Sequence, residues 1–126
     1  MTALMPAVTA LGRHLLADMY GVAADLLRDE HALERLLIDA AKAAHAHVLS
    51  SHFRRFGGAA GVTGVVVLSE SHISIHTWPE HGFAALDVFM CGDAQPEKAL
   101  ALLEAEMAPQ RVELSTVRRG PGHSEE

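Results

Sequence analysis

Apolar residues recur along this chain with two different periods, and the change of period marks out its elements. Leu33, Leu36, Leu37, Ala40, Ala41 and Ala44 follow helical spacing, with Glu34, Arg35 and Lys42 off that face and Asp29 placed to cap the start. A second helix is predicted over residues 96–107, where Ala99, Leu100, Leu103 and Met107 form the apolar stripe and Pro109 ends it. Residues 47–56, 64–68, 72–77, 83–90 and 111–117 read as strands. Residues 11–20 fit either period. The Gly-Gly-Ala-Ala-Gly stretch at 57–61 is expected to be a flexible loop rather than a domain boundary, and no internal repeat is present. Strands joined by tight turns, with helices on either side in sequence, predict an α+β fold. The expected form is a two-layer sandwich with a mainly antiparallel sheet and helices on one face. The other face must meet a partner or stay wet.

Composition narrows this to one domain spanning residues 1–126, with no room for a separate cofactor-binding module. Apolar residues make up 49% and charged residues 21%, which is globular rather than disordered. With only six aromatics the core must come from Leu, Val and Ala, and a modest core favours burying a further face in an oligomer. A net charge of −6 argues against a general nucleic-acid binder and suits a cationic substrate. The single cysteine, Cys91, cannot form an intramolecular disulfide. Residues 1–10 are apolar but short, uncharged and interrupted by Pro6, so neither a secretory signal nor a membrane span is expected, and a reducing cytoplasm is the expected compartment.

The most informative segment is Glu70-Ser71-His72. It lies directly behind the strand formers Val65 to Leu68, and a second alternating run follows without a glycine or proline to make an ordinary hairpin turn. Backbone strain held by flanking strands is one way to make a peptide bond react. His76 stands five residues on as a candidate base, and Cys91 stands twenty residues on. Taken singly, each residue has a plain structural role: a serine at a strand end caps a turn, a lone cysteine is a small hydrophobe, and a histidine in an alternating strand faces water. Their order in one motif outweighs those roles.

That motif resembles the prokaryotic S-adenosylmethionine decarboxylase proenzymes. The stretch GVTGVVVLSESHISIHTWPE at 61–80 carries the likeness, FAALDVFMCG at 83–92 continues it, and LGRHLL at 11–16 matches the family's opening. The resemblance implies that residues 11–20 form a strand, and that protomers of an α/β sandwich pair with active sites at their interface. It also implies a self-made pyruvoyl cofactor. Ser71 would attack the Glu70 carbonyl, His76 would remove the α-proton of Ser71, and the chain would separate into residues 1–70 and a pyruvoyl-capped 71–126, two of each per dimer. The ketone would form a Schiff base with S-adenosylmethionine, CO2 would leave, and Cys91 would return a proton to give the aminopropyl donor for spermidine synthesis. Thr63 stands where the family commonly has serine, and keeps a hydroxyl that supports processing. Phe56, Trp78 and Glu80 match substrate-holding positions, the aromatic rings for an adenine and the carboxylate for ribose hydroxyls.

Decarboxylation of an amino acid leaves electrons on the α-carbon, which unaided side chains cannot hold. Pyridoxal phosphate would need a lysine. The only lysines, Lys42 and Lys98, lie on the polar side of the first helix and near the start of the second, and neither is placed to hold that cofactor. Arg54 departs from the family's common histidine. It would either repel a sulfonium or point outward as an edge-strand charge. One alternative is therefore a pyruvoyl-dependent arginine or ornithine decarboxylase using the same Ser71, His76 and Cys91. A more distant one is a metal-binding module on His72, His76 and His81. His72 and His76 would lie about 13 Å apart on a strand, too far for joint ligation, and no metal site is expected.

Overall fold

The computed structural model of the protein describes residues 11–57 and 60–121. The expectations for residues 1–10 and for Gly58 and Ala59 of the loop lie outside the described residues. Six strands form one sheet: β1 (Gly12–Tyr20), β2 (Val48–Arg55), β3 (Val62–Leu68), β4 (Ser71–Trp78), β5 (Phe83–Cys91) and β6 (Arg111–Arg119). All five neighbouring pairs are antiparallel, in the order β2-β3-β4-β5-β1-β6. Three helices accompany them: α1 (Ala24–Leu27), α2 (Glu30–Ala43) and α3 (Pro96–Met107). This is the expected α+β arrangement, and residues 11–20 resolve to strand.

The helices form where their signals predict. The Asp29 side chain accepts from the Ala32 N–H and caps α2, whose Leu33, Leu37, Ala40 and Ala41 are buried. Pro96 opens α3, and Ala108 closes it in a left-handed conformation just before Pro109. α2 lies over β2, β3 and β4, and α3 lies over β5 and β1. Val62, Val66, Leu68, Ile73, Ile75, Leu86, Val88 and Met90 point into that layer. Along β5 every second residue is buried, which leaves Phe83, Ala85, Asp87, Phe89 and Cys91 on the face without helices. That open face also carries Leu16, Val117 and Trp78, each about two-fifths exposed.

Two details hold the hairpins together. Thr77 is the one buried polar residue among those described; its hydroxyl donates to the Leu27 carbonyl at 2.7 Å and accepts from the Val62 N–H at 2.8 Å. It therefore ties β4 to β3 and to α1. At Gly64 the Phe53 ring lies 2.1 Å from where a Cβ would sit, so only glycine lets β2 fold its aromatic onto β3. Among the described residues no helix is long and apolar enough to cross a membrane.

Candidate active site

β3 passes into β4 through only two residues, Ser69 and Glu70, with Leu68 paired to Ser71. Two-residue hairpins ordinarily use glycine or asparagine at positive φ. Here neither turn residue takes that role, and the mismatch falls on Ser71, whose φ is 141°. A non-glycine residue there is strained and persists only when its neighbours hold it.

They hold it from both sides. The β4–β5 register sets Ser71 opposite Met90, so Cys91 lies beside the turn. The Cys91 backbone N–H and its thiol both donate to the Glu70 carbonyl oxygen, each at 3.1 Å. On the other flank, the Glu70 carboxylate accepts from the His47 N–H at 3.0 Å and meets His47 Nδ1 at 3.1 Å. Those bonds, first the backbone N–H and then the ring, hold the Glu70 carboxyl down to about 2. Two donors on one carbonyl oxygen make a ready site for negative charge when that carbonyl is attacked.

The far end of β4 is open. His76 is exposed and its Nδ1 lies 3.3 Å from the Thr63 hydroxyl across the β3–β4 ladder. Phe56, Thr63, His76, Trp78 and Glu80 line one cavity of about 300 Å³. The Trp78 ring sits 5.3 Å from Phe83 and 6.5 Å from His76. Arg54 pairs with Thr63 across the edge and lines a larger neighbouring cavity of about 710 Å³, which Phe56 and His76 share but Trp78 and Glu80 do not.

One bend therefore unites Ser71 with Cys91 but not with His76. Five residues of extended chain separate Ser71 from His76, about 16 Å at the rise of a strand. Lys42 on α2 and Lys98 on α3 are both exposed.

Sequence reasoning also missed two groups. His47 is one. The other is an array on the open face, where His14 Nε2 and His72 Nε2 approach the same Asp87 oxygen at 2.9 and 2.8 Å, and the Ser74 hydroxyl donates to the second oxygen. Burial pushes the Asp87 carboxyl up, but the bonds from Ser74, His14 and His72 outweigh it and leave it below its ordinary value. An Arg119 nitrogen lies 3.2 Å from His14 Nδ1. Arginine only donates, so Nδ1 accepts and Nε2 carries its proton toward Asp87. Both His14 nitrogens are thus committed, and the array is a hydrogen-bonded one rather than a set of free ligands. It includes His72 but neither His76 nor His81, among the described residues.

A six-stranded antiparallel sheet under helices, with a strained Glu-Ser turn against a thiol, defines a small α+β protein, and comparison makes its family specific. The sequence profile described as S-adenosylmethionine decarboxylase matches residues 13–120. The chain is 47% identical over 105 residues to an S-adenosylmethionine decarboxylase proenzyme of Pyrobaculum aerophilum, covering 82% of this chain and 84% of that one. It is 46% identical over 118 residues to the proenzyme of Persephonella marina, covering 91% and 88%. The crystal structure of the adenosylmethionine decarboxylase from Aquifex aeolicus superposes with a TM-score of 0.86 at 42% identity, covering 94% of this chain and 98% of that one. The chain belongs to the S-adenosylmethionine decarboxylase family.

Proposed function

We propose that this protein decarboxylates S-adenosylmethionine with a pyruvoyl group made from its own Ser71. The observation that carries the reading is the Glu70 carbonyl, held by the Cys91 N–H and thiol next to a serine at positive φ. In processing, Ser71 Oγ attacks that carbonyl carbon, the C–N bond breaks, and the acyl group passes to oxygen. A base then takes the α-proton of residue 71, and elimination expels the Glu70 carboxylate. Water hydrolyses the resulting enamine, as its imine tautomer, and releases ammonia. The products are residues 1–70 and a ketone-capped 71–126.

His76 is the base in this reading, and it cannot serve the Ser71 of its own extended strand. It serves the Ser71 of a second copy. In a homodimer that covers the two open faces, the turn and thiol of one protomer meet the Thr63–His76 end of the other. The exposed Leu16, Val117 and Trp78 agree with such covering.

The residues present fit the cofactor: a strained serine supplies its carbon skeleton, a thiol lies alongside, and no lysine competes. A pyruvoyl ketone there supplies the electron sink for the carbon left when CO2 departs. The Cys91 thiol is placed to return a proton to the substrate α-carbon. Phe56 and Trp78 offer aromatic faces to an adenine and Glu80 accepts from ribose hydroxyls, while the overall charge of −6 suits a sulfonium. Arg54 lines the neighbouring cavity, away from Trp78 and Glu80. The product would be an aminopropyl donor for spermidine synthesis.

The test is denaturing mass spectrometry of the purified protein followed by CO2 release. The expected result is a fragment ending at Glu70, a ketone-capped partner, and turnover on S-adenosylmethionine. A chain that stays intact at neutral pH overturns the reading. Turnover on arginine or ornithine alone keeps the chemistry and changes the substrate.

A further inference from the structure

His47 contributes three bonds to the two-residue turn. Its carbonyl accepts from the Ser69 N–H at 3.0 Å, its N–H donates to one Glu70 carboxylate oxygen at 3.0 Å, and its ring nitrogen meets the other at 3.1 Å. His47 is itself fixed. It follows the close of α2, where His45 takes a φ of 63° and Ala46 N–H returns to the Ala41 carbonyl, and it precedes an irregularity between Val48 and Ser50 in the β2–β3 register. Residue 70 is thus gripped by its side chain on the β2 flank and by its carbonyl on the β5 flank.

We propose that the Glu70 carboxylate and His47 form a positioning clamp that keeps the turn in the strained form, with the Glu70 carbonyl on the Cys91 donors, and so sets the rate of the first acyl shift. The inference rests on the self-cleavage proposed above, and gives the Glu70 side chain a role separate from its scissile carbonyl. Other roles fit the geometry less well. Both carboxylate oxygens are already engaged by His47, which competes with a substrate for them. A carboxyl held at about 2 is also a weak base and a poor acceptor for the Ser71 hydroxyl proton.

Glutamine can keep both contacts without the charge, because its oxygen accepts from the His47 N–H and its amide donates to Nδ1. The experiment therefore follows cleavage of the full chain by denaturing mass spectrometry in the parent, Glu70→Ala, Glu70→Gln and His47→Ala, with equal folded fractions verified by circular dichroism. Glu70→Ala is expected to cleave at least about tenfold more slowly, as for loss of hydrogen bonds to a charged group. Its uncut chain should resist hydroxylamine, because the block precedes the ester. Glu70→Gln should recover to within about threefold of the parent, with an unchanged pH profile from 5 to 9, since the carboxyl does not titrate there. His47→Ala keeps the backbone bonds and should slow cleavage by less than Glu70→Ala. A parent rate in Glu70→Ala, or a Glu70→Gln chain as slow as Glu70→Ala, overturns the clamp alone. A parent that never cleaves overturns the proposed function and the clamp together. Should Glu70→Ala fail to fold, a parent rate in folded His47→Ala together with a slow Glu70→Gln overturns the clamp.

Discussion

The two ends of β4 are built on opposite plans. At Ser71 the backbone is strained and its neighbours are saturated with hydrogen bonds from two flanking strands. At His76 the side chain is exposed, its polar neighbour is a single hydroxyl, and a cavity opens beside it. In the proposed function the first end holds the bond that reacts, and the second holds its base, His76, and the substrate cavity. In the proposed dimer each end supplies what the other lacks, because two antiparallel copies of one strand bring unlike ends together.

The sharpest way to break this comparison is to mix half-sites. Ser71→Ala and His76→Ala chains should each lack activity alone. Coexpressed at random, half the dimers are mixed and each restores one site of two, so decarboxylation should return to about a quarter of the parent value. Activity that stays absent in the mixture would place both residues in one chain's site. Next in size, Cys91→Ser should lower turnover by about 10²–10⁴-fold, the usual contribution of a positioned proton donor. Its ketone-capped fragment should convert to an alanine-capped one during turnover, visible by mass. Thr63→Val keeps the shape of β3 but removes the hydroxyl facing His76, and should slow cleavage by about five- to tenfold, while Thr63→Ser stays near the parent. The smallest effect is on stability in acid. The folded Glu70 carboxyl, at about 2, lies below its unfolded value of 4.5. Its contribution is fully present above 4.5 and is lost as pH falls through about 2. The stability advantage of the parent over Glu70→Gln, read from denaturant unfolding followed by circular dichroism, should be full above pH 4.5 and shrink as pH falls toward 2, because the amide does not titrate.

Much of the fold could be read from local pattern. α2 and α3 followed from caps, prolines and apolar stripes, and β2 to β6 from alternation, each within two residues of its observed bounds. β1 was ambiguous because Leu15, Ala17 and Met19 alternate but sit among residues that also suit a helix. Its place between β5 and β6 is a long-range pairing that no local period encodes. α1 and the short 3-10 turn Pro79–His81 are shorter than any period that could announce them. For the site, the closeness of Ser71 and Cys91 follows from one hairpin and one ladder. His76 looked near Ser71 because five positions are few in sequence, but on a strand they are far in space. His47 was missed because its contact with Glu70 spans a loop closure of 23 residues.

The strand order has a further consequence if, as proposed, the chain is cut after Glu70. Residues 1–70 hold β1, β2 and β3, and residues 71–126 hold β4, β5 and β6. Three of the five ladders, β3–β4, β5–β1 and β1–β6, then join different molecules, and β1 is inserted between two strands of the other piece. The pieces cannot drift apart without tearing the middle of the sheet, so a cut protomer persists as a two-component assembly. Unfolding it is another matter. Recovery then needs two separate chains to find each other, so refolding becomes second order and apparent stability rises with protein concentration. The uncut Ser71→Ala chain should re-form its own sheet at a rate independent of dilution, leaving only the pairing of protomers dependent on concentration.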